Sequence, residues 1–239
     1  MLNQIKPEEI LFLDIETVPQ NYSYEELNET DKSLWFEKSK FTRERRNMEV
    51  DESYQEAGIY AEFGKIVCIS VGYFVKRDEE RLLRLTSFFG DDEKQILEDF
   101  ASLLNRTLNN PFRLLCAHNG KEFDFPYICR RMLIQRVPLP SMLNIAGKKP
   151  WEISHLDTME LWKFGDYKHY TSLKLLARVF GIPTPKDDID GSQVREVYYE
   201  EKNLDRIEVY CRKDVATVAN VLLSYLGEPI VSDQDLVMV

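Results

Sequence analysis

Residues 10–18 read Ile-Leu-Phe-Leu-Asp-Ile-Glu-Thr-Val, with charged residues upstream and Pro19 downstream. Four apolar residues in a row between such bounds predict a buried central strand, Ile10–Val18. Two acids, Asp14 and Glu16, stand near its carboxyl end. A strand repeats every two residues, so both carboxylates point to one face. Adjacent anions on a hydrophobic strand repel each other and are costly to desolvate. A divalent cation relieves that cost, because hard carboxylate oxygens are what Mg²⁺ or Mn²⁺ prefers. The plainer alternative puts one acid in solvent at the strand end and bonds the other to backbone. Asp-x-Glu by itself does not choose between them.

Beyond Pro19, Gln20–Glu62 is strongly polar and holds helix-like pieces at Ser23–Glu29 and Asp31–Lys40, followed by the mixed-charge run Arg43-Glu44-Arg45-Arg46. It reads as a helical insertion at about 20–62, either a lid over a site or solvated packing without a chemical role. Lys65–Lys76 is β-branched and alternating, and Arg81–Phe89 repeats the pattern after the Arg77–Glu80 turn, so the pair predicts a hairpin. Asp91–Asn109 carries the apolar period of an amphipathic helix and is stopped by Pro111. Phe112–Ala117 and Ile153–Thr158 predict a fourth and a fifth strand. Helices are expected from Asp124 to Arg136, up to Phe164, over Ser172–Phe180, and over Leu204–Leu226, with Pro138, Gly181 and Pro183 as stop signals. Lys186–Gly191 is expected as a loop leading into Ser192–Glu201. Three antiparallel strands followed by strand–helix alternation imply an α/β fold: one mixed five-stranded sheet flanked by helices, in a single domain over 1–239.

Composition narrows the function classes. The chain of 239 residues has no apolar run near the ~20 residues that span a bilayer, and Met1–Glu9 resembles neither a signal nor a transit peptide. The four cysteines, Cys68, Cys116, Cys129 and Cys211, form no Cys-x-x-Cys pair. Reduced core thiols in a cytoplasmic protein are expected. Three histidines exclude a histidine-rich metal centre. The net charge of −10 speaks against a general nucleic-acid binder. Residues 111–186, however, carry 12 basic and 6 acidic groups. A local patch of that kind suffices for an enzyme that grips a few nucleotides at a metal site.

Two further clusters carry chemistry. Cys116–Pro126 sits where a buried strand breaks into a helix; Asn119 and Gly120 suit the turn, and Asp124 stands at the helix start. Helix capping explains Asp124 as readily as a role beside Asp14 and Glu16. In the last helix, Tyr210 and Asp214 are four residues apart and share a face.

The order of these clusters — Asp-x-Glu on a strand, Asn-x3-Phe-Asp after a later strand, Tyr-x3-Asp in a C-terminal helix — resembles the DEDD superfamily of 3′→5′ exonucleases in its tyrosine-bearing subclass, which has a ribonuclease H-like fold. The histidine subclass places a His where this chain has Val209. Local context, including Gly64–Ser70, His155–Trp162 and Asp188–Val194, is similar to the proofreading exonuclease domain of family B DNA polymerases, in a free-standing form. The resemblance implies two Mg²⁺ or Mn²⁺ ions held by Asp14, Glu16, Asp124 and Asp214, the fit of four carboxylates to two-metal phosphodiester hydrolysis. It assigns Asp14, Glu16 and Asp214 mainly to one ion, with Asp14 bridging, and Asp124 to the other. Tyr210, a poor base with a phenol pKa near ~10, is expected to orient the attacking water.

Thr17 is expected to grip the terminal nucleotide and Asn119 and Phe123 the next one, with Phe123 equally explained as core. Lys121, Arg130, Arg131, Lys148, Lys149, Lys163, Lys168 and Lys174 are phosphate candidates. Asp157 is read as a helix cap or supporting residue, not a metal ligand. The expected partner is single-stranded nucleic acid, DNA ahead of RNA, with no membrane and with replication or repair proteins in trans. Two alternatives stand beside this reading: an exoribonuclease similar to ribonuclease D, and a catalytically silent nucleic-acid-binding module.

Overall fold

The computed structural model describes residues 2–77, 80–106, 112–166, 170–183 and 189–239. Several expectations fall outside them: the centre of the Arg77–Glu80 turn, the helix end at Asn109 with its Pro111 stop, Lys168, and the Lys186–Asp188 part of the following loop. The strand read from residues 10–18 is β1, Ile10–Pro19, whose apolar residues are buried on both faces. The insertion comes next, with helices α1 (Glu29–Arg46) and α2 (Val50–Tyr54). Strands β2 (Gly64–Arg77) and β3 (Glu80–Phe89) then form the hairpin. Helix α3 (Glu93–Asn105), strand β4 (Leu114–Ala117) and helix α4 (Asp124–Ile134) follow. Strand β5 (Leu156–Asp157) leads into α5 (Thr158–Lys163), then come α6 (Leu173–Val179) and α7 (Val194–Glu196). A π-helical turn, Val197–Glu201, precedes the long α8 (Leu204–Leu226), and β6 (Leu236–Met238) ends the chain.

Among the described residues the sheet has six strands in the order β5-β4-β1-β2-β3-β6, one more than the five expected. The extra strand runs parallel to β3 at the sheet edge. Only three residues long, it carries no alternation by which a sequence pattern could find it. Its position depends on a distant side chain: Asn220 in α8 bonds both the N–H and the carbonyl of Val231, steering the tail back to β3. The fifth strand is also shorter than Ile153–Thr158, because Asp157 caps α5 by accepting from Met159 and Glu160 N–H groups. The Arg43–Arg46 run continues α1 and does not form a separate segment, ending at Asn47 in the left-handed conformation (φ 54°) that suits a helix stop. The piece expected over Ser23–Glu29 is only the 3₁₀ turn Tyr24–Glu26.

Central β1 pairs antiparallel with β2 and parallel with β4. Its odd-numbered residues Leu11, Leu13 and Ile15 pack with α3 and α4, while Ile10 and Phe12 pack with Val215, Val218 and Leu222 of α8. Gly72 on β2, opposite Phe12, is what lets α8 come this close. A Cβ there would stand 2.8 Å from Leu85 and 2.9 Å from Val215. The even face of β1 therefore looks at α8, and Asp14 and Glu16 lie on that face.

Candidate active site

Pairing between β1 and β4 stops at Phe12 and Cys116, two residues short of Asp14. Past that point β4 turns away and β1 continues alone on that side, so both acids stand at the rim of a cleft beyond the carboxyl end of a parallel pair. Ligands of α/β sheets bind at such a place. On the other flank β2 still pairs, setting Asp14 opposite Ser70 and Glu16 opposite Cys68. A register shift falls between Glu16 and Thr17. Bulges of this kind re-aim side chains beside active sites.

Asp124 arrives from the β4–α4 turn. Asn119 takes the left-handed conformation (φ 63°), and Gly120 approaches Ala117 so closely that a Cβ would lie 2.4 Å from its side chain. Asp157 pins the turn, accepting from the N–H groups of Asn119 (3.0 Å) and Lys121 (3.1 Å) as well as capping α5. His118 adds a second clamp, its ring bonded to Thr158 Oγ1 and to the Thr171 carbonyl, each at 2.9 Å. Asp124 is the first residue of α4, not its N-cap, which is Phe123. Its carboxylate is buried, and the backbone at Asp124 and at Ile15, between the two acids of β1, acts to lower its pKa against that burial. Helix capping therefore does not account for this acid.

Helix α8 supplies the rest. The Cys211 thiol donates to the Asp14 carbonyl at 3.4 Å, pinning the helix to the strand, and Tyr210 hydrogen-bonds the Asp214 side chain one turn on. Acids scattered over two hundred positions of sequence thus share one electrostatic neighbourhood. Burial is the largest effect raising the Asp14 carboxyl well above its usual range, followed by repulsion from Glu16, Asp124 and Asp214. Glu16 is raised likewise, by burial and then by Asp214, Cys68 and Asp124. Burial lifts Asp124 to about 7, against backbone hydrogen bonds that lower it, with Asp157 and Asp214 adding to the rise. The Tyr210 phenol is pushed far above the physiological range by burial, Asp214, Glu16 and Asp14, so it stays protonated.

The groups acting most strongly on Asp14, Glu16 and Asp124 are other acids, thiols and backbone N–H groups, with no cationic side chain among them. Enclosed carboxylates that raise one another are the donor set a hard divalent cation satisfies. Among the described residues, ligand atoms of Asp14, Glu16 and Cys211 lie within 4.8 Å of one another. The proximity of Cys211 was not anticipated from sequence, where it reads as an ordinary core thiol.

Of the other expected substrate contacts, Thr17 is half-buried near Tyr127, and Phe123 packs its ring 5.3 Å from the same tyrosine. Asn119 has a buried side-chain oxygen without a hydrogen-bond partner. It lines a depression of about 350 Å³ with Lys121, Met159 and Lys163. Lys121 is ion-paired with Glu160 at 2.6 Å. Arg131 is not a phosphate contact: only 2% exposed, it makes a paired bond to Glu93 and donates to the Ala61 carbonyl, so its guanidinium serves the core. Arg130, Lys148, Lys149 and Lys174 are exposed. A larger groove of about 650 Å³ runs between α8 and the tail, lined by Arg212, Thr217 and Asn220, and contains none of the four acids. No described helix is long and apolar enough to cross a membrane.

Residues 59–228 match the family described as "Predicted 3'-5' exonuclease related to the exonuclease domain of PolB". The helical insertion lies almost wholly before the matched residues. Among solved structures, the family B DNA polymerase of the hyperthermophilic archaeon Pyrobaculum calidifontis is similar, at 15% identity and a TM-score of 0.52. The match covers 92% of this chain and 25% of the polymerase, so the chain spans about a quarter of that protein's length. At this identity the likeness concerns the fold. No curated protein sequence matches the chain.

Proposed function

The chain belongs to the family of predicted 3′-5′ exonucleases related to the exonuclease domain of PolB, and from that membership we propose that it hydrolyses the terminal phosphodiester of single-stranded DNA, releasing nucleoside 5′-monophosphates from the 3′ end. The observation that carries this reading is that Asp14 and Glu16 offer ligand atoms within 4.8 Å of each other, while Asp124 and Asp214 act electrostatically on both and Tyr210 feels all of these but Asp124. Asp14, Glu16, Asp124 and Asp214 would hold two Mg²⁺ or Mn²⁺ ions. Such ions, when bound, supply an activated water at neutral pH and charge stabilisation for the leaving oxygen.

The chain's own residues do the positioning. Tyr210, protonated and bonded to Asp214, places a hydroxyl beside the carboxylates where it orients a water without serving as base. The Cys211–Asp14 bond and the close packing at Gly72 fix the distance from α8 to β1 on which that alignment depends. Asn119, in the turn that leads to Asp124, lines the depression of about 350 Å³ with Lys121 and would contact the penultimate nucleotide there. Thr17, next to Glu16 on β1, would grip the terminal nucleotide, and Phe123, next to Asp124, the one before it. Replication or repair proteins would be its partners in trans.

DNA and RNA oligonucleotides of one sequence, each labelled at the 5′ or the 3′ end, test the proposal in Mg²⁺, Mn²⁺ or chelator. The expected result is a shrinking ladder from the 5′ label and an immediate labelled mononucleotide from the 3′ label, faster on DNA and absent with chelator. Faster RNA cleavage would favour the exoribonuclease alternative. Internal fragments or chelator-resistant cutting would overturn the proposal.

A further inference from the structure

The helical insertion presents a surface that the catalytic reading leaves unused. Helix α1 is anchored by Trp35, buried against the rings of Tyr54, Tyr60 and Phe63, with its indole N–H bonded to Ser53. On an exposed flank, Leu34, Lys38, Phe41 and Arg45 follow at intervals of four, three and four, which puts them in one stripe. Phe41 is 73% exposed and Leu34 50%. The Arg45 guanidinium lies 5.9 Å from the centroid of Phe41, and the Lys38 ammonium lies 5.2 Å from that of Tyr60. Residues 32–46 hold six basic and two acidic side chains in a chain whose net charge is −10. The nearest acids, Glu37 and Glu44, lie on the neighbouring stripe, and Glu62 faces Lys38 at 3.9 Å.

The stripe connects to the site. Both feet of the insertion, Pro19 and Gly64, pair with each other at the catalytic end of the sheet. Pro19 is three strand residues past Glu16, about 10 Å away. From α1 the path runs through Tyr60 and half-exposed Ile59 to Gly58, whose carbonyl accepts from Tyr127, and Tyr127 packs on Phe123 next to Asp124.

Resting on the exonuclease reading above, we infer that the Leu34–Lys38–Phe41–Arg45 stripe is a track for single-stranded nucleic acid, holding the strand upstream of the bond being cut. Open aromatic faces beside cations are what bases and phosphates of a single strand require: rings stack on any base, and Lys or Arg follows the backbone. Both cations of the stripe lie over rings.

Steady-state kinetics on a DNA dinucleotide and on a strand of about ten nucleotides test the inference. Phe41→Ala should raise KM for the longer strand by about 5- to 150-fold, the range of one lost stacking contact, with kcat and the dinucleotide kinetics unchanged. Lys38→Ala with Arg45→Ala should flatten the dependence of log KM on log salt by about 1.4, since each single-strand phosphate contact contributes about 0.7. A strand carrying iodouracil should cross-link to α1. The exposure of these side chains leaves the fold intact, which a melting curve verifies. Unchanged KM on the longer strand, or loss of a parental oligomer in light scattering with KM unchanged, would overturn the track and mark a protein interface. Should the parent cleave neither substrate, the exonuclease reading falls, while the presence or absence of the cross-link still decides the track.

Discussion

Replacing Asp124 by Asn should stabilise the metal-free protein above neutral pH while removing activity. The Asp124 carboxyl ionises near 7 in the folded chain and near 3.8 when unfolded, with burial as the main cause. A folded value raised above the unfolded one means stability that is complete below 3.8 and is lost as pH rises through 7. About three pH units at about 1.4 kcal/mol each put the loss near 4 kcal/mol. The amide escapes that penalty but is a weaker acceptor of nearby backbone N–H groups, at a cost of about 1–2 kcal/mol. The variant should therefore exceed the parent by about 2 kcal/mol near pH 8 and match it to within about 1 kcal/mol near pH 5. His118 and His155, whose ring pKa values burial lowers from 6.5, act in the opposite direction below that pH in both proteins. The difference between the two urea-unfolding curves in chelator is thus the quantity to follow. A saturating divalent cation should reverse the order, adding about 2.7 kcal/mol to the parent at 100 times its Kd. A variant less stable than the parent by the same amount at both pH values would refute the account of the acid cluster.

Asp14→Asn and Asp214→Asn should each cut 3′-end hydrolysis by at least about 100-fold, since even residues supporting metal ligands cost 10- to 100-fold. A gel assay with Mg²⁺ reads this, and each variant should retain its melting temperature or gain in chelator. Tyr210→Phe keeps the ring and removes the hydroxyl, so kcat should fall by about 100-fold or more with Mn²⁺ affinity in calorimetry unchanged. Asp157→Ala removes the acceptor of four backbone N–H groups. It should destabilise by about 2–4 kcal/mol in urea and lower kcat/KM by loosening the Asn119–Asp124 turn.

The strands β1 to β3 and the final helix are legible because each carries a long, unbroken period: an apolar run, alternation, or the spacing of Val215, Val218 and Leu222. Strand β6 is not legible, since a residue sixteen positions away, Asn220, directs it. The same contrast holds at the site. Asp14 and Glu16 announce themselves as paired acids on one strand face, and Tyr210 with Asp214 as neighbours on a helix. Asp124 is ambiguous in sequence because capping explains an Asp at a helix start, and only the finding that Phe123 is the N-cap, with the Ile15 backbone acting on the Asp124 carboxyl, separates the two roles. Arg131 illustrates the opposite case. A cation in a basic stretch reads as a phosphate contact until Glu93, 38 positions earlier, is found paired with it in the core. Cys211 gave no signal, because its closeness to Asp14 and Glu16 arises only when α8 crosses the sheet at Gly72.

Anomalous diffraction from crystals soaked in Mn²⁺ is the most direct test of whether these acids form one cation-binding pocket. The account predicts two peaks, both within coordination distance of carboxylates from Asp14, Glu16, Asp124 and Asp214, and both lost in Asp14→Asn. Manganese bound only elsewhere on the chain, or two peaks that persist in that variant, would contradict it.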